Sequence, residues 1–180
     1  MKRQFAAIMI PALALVVASC GTSPEKMSGK ITKLEQEMKS QSPADTAKVN
    51  ELITAYEQFA TKFPKDTLSP EYLFRAGGLC LSFNKANKSL ELFRKAAQDY
   101  PAYKRAGECL FMQGFVFENA LGDINNAGKI YREFLDKYPN HPLSDDAAMS
   151  LKYLGKPAEE IIRDIEQKAA DSTAAAQQKK

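Results

Sequence analysis

The chain has no tryptophan and a single histidine, His141, among its 180 residues. That narrows the catalytic vocabulary. No Ser–His or Cys–His pair can be assembled away from His141, and no cluster of histidines is there to hold a metal. Glycine is scarce at nine residues, and no glycine-rich phosphate loop is present. Clusters of β-branched residues are also missing, which favours helices over strands. Neither sign of charge dominates: the net charge is +3, and without residues 1–19 the basic and acidic side chains number 23 and 22. Such a balance gives no basic face for nucleic acid. Only one long apolar run exists, and it lies at the N-terminus.

That run, Phe5 to Val17, spans 13 residues and follows Lys2 and Arg3. It is short for a membrane-spanning helix, which needs about 20 residues, and has the layout of an export signal. Its end, Val17-Ala18-Ser19-Cys20, resembles the bacterial lipoprotein box. The resemblance implies diacylglycerylation of Cys20, cleavage after Ser19 and acylation of the new amine with a fatty chain such as palmitate. Membrane attachment through lipid at Cys20 follows, strong enough to be long-lived. Gly21, a non-acidic residue after the cysteine, fits the sorting pattern of outer-membrane lipoproteins, so the chain is expected on the outer membrane facing the periplasm. Residues 20–27 read as lipidated cysteine plus flexible tether, 28–170 as the folded domain, and 171–180 as a disordered tail.

The folded part repeats itself. Tyr56, Phe93 and Tyr131 lie eight residues before Pro64, Pro101 and Pro139. Phe59, Ala96 and Phe134 lie five before, and Phe63, Tyr100 and Tyr138 one before. The prolines are 37 and 38 residues apart, a period that signals stacked supersecondary units. Apolar periodicity, prolines and turn residues predict eight helices: 28–40, 44–63, 69–83, 88–100, 103–120, 124–138, 144–155 and a last one from Pro157. Ser42, Ser69 and Ser144 are the expected caps, and Pro43 and Pro70 the first helical positions. Gly122 ends the fifth helix. Ile161, Ile162 and Ile165 form the packing face of the eighth.

Small residues recur as well: Gly77 and Gly114 in first helices, Ser89 and Ala127 in second helices, each followed four residues on by Phe93 or Tyr131. With the closing proline, this pattern resembles the tetratricopeptide repeat. The resemblance implies an all-α fold: antiparallel helix pairs stacked into a right-handed superhelix. Mid-helix glycine costs about 1 kcal/mol against alanine, so Gly77 and Gly114 are read as packing residues, with Gly114 facing Ala127. Gln113 stands where the motif takes leucine. Cys80 sits late in one first helix and Cys109 early in the next, at different heights, which favours two buried thiols over a bridge. His141 lies between turn residues and is read as solvated.

Tetratricopeptide stacks bind peptides and partner proteins on a concave wall, and the resemblance assigns that wall residue by residue. It comprises Glu71, Phe74, Gly78 and Leu81, then Glu108, Phe111, Phe115 and Glu118, then Asp146, Met149 and Tyr153. The wall reads as apolar with an acidic fringe, suited to an apolar partner segment; packing against neighbouring helices is the alternative. Tyr138-Pro139-Asn140-His141-Pro142 with Asp146, Ala147 and Leu154 resembles a connector of the BamD-type outer-membrane assembly lipoproteins. Expected partners are therefore envelope proteins: β-barrel assembly factors or, on the resemblance to the Tol–Pal-associated repeat protein, wall-synthesis proteins. A periplasmic hydrolase is the remaining alternative. No enzyme activity, cofactor, metal or nucleic acid is expected.

Cys20→Ser should abolish metabolic labelling by an acyl analogue. Equal labelling of wild type and variant would contradict the assignment of the lipoprotein box.

Overall fold

A computed structural model describes residues 22–40 and 45–177. The export signal, Cys20, Ser42 and Pro43 lie outside the described residues. Within them are eight helices and no strand: α1 (Pro24–Ser40), α2 (Thr46–Lys62), α3 (Leu68–Ser82), α4 (Ala86–Asp99), α5 (Ala106–Asn119), α6 (Ile124–Lys137), α7 (Ser144–Tyr153) and α8 (Ala158–Gln177). From α1 to α7 each helix packs on the next. The result is an all-α, tetratricopeptide-like stack of helix pairs.

The repeated aromatic positions build the core. Tyr56, Phe93 and Tyr131 are buried, as are Phe59, Ala96 and Phe134. Phe63, Tyr100 and Tyr138 are half-buried at the helix ends and pack against the same clusters. One core runs from α1 to α5 and a second from α5 to α7. Burying a side chain the size of Phe93 contributes about 1.5–3 kcal/mol.

Gly77 and Gly114 are packing residues, though the tightest neighbour is not the small residue facing them. A Cβ on Gly77 would lie 2.9 Å from the Phe93 ring, and one on Gly114 2.7 Å from the Tyr131 ring. The glycine leaves room for the aromatic four residues beyond the small helix-B position. Ser89 does face Gly77, and its hydroxyl donates to the Gly77 carbonyl at 2.8 Å.

The three proline junctions share one backbone turn. Asp66, Tyr103 and His141 donate their N–H groups to Phe63, Tyr100 and Tyr138 carbonyls at 2.9, 2.9 and 3.1 Å. Three residues on, the N–H groups of Ser69, Ala106 and Ser144 donate to Asp66, Tyr103 and His141 at 3.1, 2.9 and 2.9 Å. This corrects the expected caps. Ser69 and Ser144 are not N-caps, because each hydroxyl reaches back six residues to donate to Phe63 O at 2.6 Å and Tyr138 O at 2.8 Å. Those carbonyls are orphaned helix ends, and the serine satisfies them twice over with the turn. Asp66 Oδ1 instead accepts from Leu68 N at 2.8 Å. Asp45 caps α2, accepting from Ala47 N at 2.8 Å.

Other boundaries shift for local reasons. Asn84 takes φ +56° and Gly122 φ +64° after α3 and α5, the left-handed conformation that ends helices. Tyr103–Arg105 belong to the junction turn, so α5 starts at Ala106. α1 starts at Pro24, inside the expected tether, because proline is favoured in the first turn. α8 continues to Gln177, through most of the expected tail. Its alanines and charged residues have high helix propensity and need no burial to be helical. Of the expected packing face of α8, Ile161 is half-buried, whereas Ile162 and Ile165 are about half exposed, at 55% and 50%, so the face is covered only in part. His141 is half-buried rather than solvated: its ring lies edge-on to Phe134 at 5.3 Å and near the position a Gly107 Cβ would take. Cys80 and Cys109 are free, buried thiols, and burial pushes them up to about 11 and about 12.

Gly114→Ala should lower stability by about 1–3 kcal/mol by forcing the Tyr131 ring aside. Thermal unfolding checks this, and an unchanged midpoint would contradict the ring contact.

Candidate functional site

The expected wall falls on one side of α3, α5 and α7, and the structure divides it into a closed half and an open half. The closed half begins with an alternating chain of charges. Glu35 on α1 meets Arg75 at 2.8 Å, and Arg75 meets Glu71 at 2.9 Å. Glu71 lies 3.7 Å from Arg105, and Arg105 meets Glu108 at 2.7 Å. Two tyrosines join it: Tyr56 donates to Glu35 at 2.6 Å and Tyr103 donates to Glu71 at 2.6 Å. The chain ties α1, α2, α3, the Pro101 junction and α5 together.

This network changes the character of the first residues. Glu71 and Glu108 are not a free acidic fringe, since each is paired with an arginine. Burial works against the charge on Glu71, but the Tyr103 hydroxyl and the Arg75 guanidinium outweigh it and hold the carboxyl below its usual value of 4.5. Burial and the Glu71 carboxylate push the Tyr103 phenol up. Phe74 is covered: the Arg105 guanidinium sits 3.6 Å from its ring centroid and Phe93 meets it edge-on at 5.5 Å. Arg105 therefore serves both a carboxylate pair and a cation–π contact. Leu81 packs against the core. Gly78 has nothing within 4 Å of where its Cβ would be. Beside Phe74 and Gly78 a cleft of about 460 Å³ opens between α1, α2 and α3, with Tyr56, Leu52 and Met38 in its lining.

The second unit is mixed. Phe111 packs on the Tyr131 and Phe134 rings, both at 5.7 Å, and Glu118 accepts the Tyr131 hydroxyl at 2.7 Å. Phe115 is 38% exposed. In the third unit Met149 is 48% exposed, Asp146 is exposed, and Tyr153 carries the Lys152 ammonium 4.7 Å from its ring centroid. The open apolar surface is thus carried by Phe115 and Met149 on successive first helices, while Tyr153, which occupies the register position of Phe115, is half-buried. Arg75 and Arg105 are the residues that the wall assignment missed. Their signal was present as charge pairs at i,i+4 from Glu71 and i,i+3 before Glu108.

Among the described residues no group of three or more histidines, cysteines, aspartates or glutamates could hold a metal ion. No helix among them is long and apolar enough to cross a membrane.

A family model for the tetratricopeptide repeat matches residues 108–141, which covers α5 from its third residue, α6 and the junction to His141. Residues 108–141 are therefore similar to one tetratricopeptide repeat, in keeping with the all-α stack, and repeats of this kind suggest a scaffold for protein–protein interaction. A search of curated proteins found no match.

Because Glu71 titrates below its unfolded value, its contribution to stability is present above about pH 4.5 and lost as pH falls through the folded value. Wild type should lose more thermal stability between about pH 6 and pH 3 than Glu71→Gln. Equal losses would show that the carboxylate is not coupled to folding.

Proposed function

We propose that this protein is a lipid-anchored periplasmic scaffold that holds an apolar segment of a partner protein on the wall of α5 and α7. The observation that supports this reading most is the exposure of Phe115 and Met149, at 38% and 48%, at two wall positions of consecutive first helices. Isolated exposed apolar side chains are ordinary, but two that share a face of a repeat stack form a patch a partner can cover. The charge chain pairs the wall glutamates and Arg105 covers Phe74 in the neighbouring part of the wall, so the exposed apolar side chains lie at this end. An apolar helix or strand of the partner lies there, with Asp146 and the paired Glu118 at its edge.

The lipid at Cys20 keeps the scaffold at the outer membrane. With α1 starting at Pro24, only Gly21, Thr22 and Ser23 separate the anchor from the helix. The stack is then held close to the bilayer, near the place where β-barrels are assembled, and a β-barrel assembly factor is the partner this reading favours.

Photo-crosslinkers placed at positions 115 and 149 in the native membrane test the proposal. Recovery of a β-barrel assembly factor supports it, and recovery of wall-synthesis proteins favours an envelope coordinator instead. Phe115→Ser with Met149→Ser should reduce partner recovery at least tenfold, with helical circular dichroism unchanged. Unchanged recovery would remove the wall from the site.

A further inference from the structure

Gln113 has a place in the fold that the repeat does not explain. The same register holds Ala76 in the preceding unit and Leu151 in the next, each 12 residues after its proline. Gln113 is only 4% exposed. Its Nε2 donates to the Cys109 carbonyl at 3.1 Å, while Oε1 accepts nothing from the described residues. No fully enclosed side-chain polar atom among the described residues lacks a partner. Oε1 is therefore reached from outside, and the route is a cleft of about 580 Å³ that Gln113 lines.

The cleft lies between α4 and α6 with α5 as its floor, on the side of α5 away from Phe111 and Phe115. Its floor is the stripe Ala106, Leu110, Gln113 and Phe117, spaced so that all four share one helix face. The stripe is about 16 Å long at 1.5 Å per residue, the length of about five extended residues. The walls carry Arg94 from α4 and Lys129, Glu133 and Lys137 from α6, three cations to one carboxylate. Lys137 is paired with Glu133 at 2.7 Å, and Lys129 reaches only Asn126 at 3.4 Å. Arg94 has no ion-pair partner among the described residues. The cleft thus offers one unpaired acceptor, an apolar floor and a basic rim.

We propose that this cleft is a second binding site, independent of the α5–α7 wall, for an extended acidic peptide segment of a partner protein. A backbone N–H of the segment donates to Gln113 Oε1, apolar side chains descend onto Leu110 and Phe117, and carboxylates meet Arg94 and Lys129. Period-two alternation in an extended chain places the two kinds of side chain on opposite faces, as the floor and rim require. A bare anion would use the rim alone and leave Gln113 and the floor unexplained.

The test is fluorescence anisotropy with a labelled, capped hexapeptide of alternating leucine and glutamate, titrated with the full-length protein. Saturable binding is expected, weakened at least tenfold by Gln113→Leu and by Arg94→Glu and unchanged by Phe115→Ser. Gln113→Leu restores the residue the motif prefers, so its melting temperature should equal or exceed that of wild type, separating lost binding from lost fold. The proposal is overturned if the peptide does not saturate, if Gln113→Leu binds equally well, or if the alternating leucine–lysine peptide binds as tightly. Displacement by millimolar inorganic phosphate with no effect of Gln113→Leu would show a simple anion site and overturn it too.

Discussion

The closure of each helix pair depends on a ring lying against a glycine. Phe93 and Tyr131 are fully buried, and each occupies the space a Cβ on Gly77 or Gly114 would take. Mid-helix glycine is costly, and the structure offsets that cost with aromatic burial that no larger residue would permit. The contact also sets the height of one helix against the other. In the first of these pairs Ser89 then meets the Gly77 carbonyl, and in the second the Tyr131 hydroxyl reaches Glu118.

Once the pairs are closed, the junctions decide how they stack. The same hydrogen-bonded turn follows Phe63, Tyr100 and Tyr138 and leads into each next first helix. What differs between units is the chemistry hung on that frame. On α3 and the start of α5 arginines neutralise the wall glutamates and Arg105 covers Phe74. Further along, Phe115 and Met149 stay open. On the opposite side of α5 the frame leaves the cleft floored by Gln113. A repeat built for uniform packing thus carries two dissimilar surfaces on one helix.

The helix count, the aromatic register and the packing role of the glycines were legible in the sequence because each is stated at least twice, at matching distances from a proline. Contacts that cross between elements were harder to read. Ser69 and Ser144 look like caps when judged by their immediate neighbours, but their hydroxyls serve carbonyls six residues back. His141 looks solvated between turn residues, but the stack folds it onto Phe134. The wall positions follow from the repeat, whereas their closure by Arg75 and Arg105 depends on pairing across α1, α3 and α5. α8 extends beyond the expected end of the domain because its alanine-rich sequence has high helix propensity.

Adjacent glycines in α3 offer the most direct test of the ring-on-glycine account. Gly77 lies against Phe93, while Gly78 has nothing within 4 Å of its missing Cβ. Both are helical, so alanine removes the same backbone entropy at either position. Chemical denaturation of the two single variants should therefore give opposite signs. Gly78→Ala should gain about 0.5–1 kcal/mol, and Gly77→Ala should lose about 1–3 kcal/mol as the ring is displaced. Two gains of similar size would contradict the account.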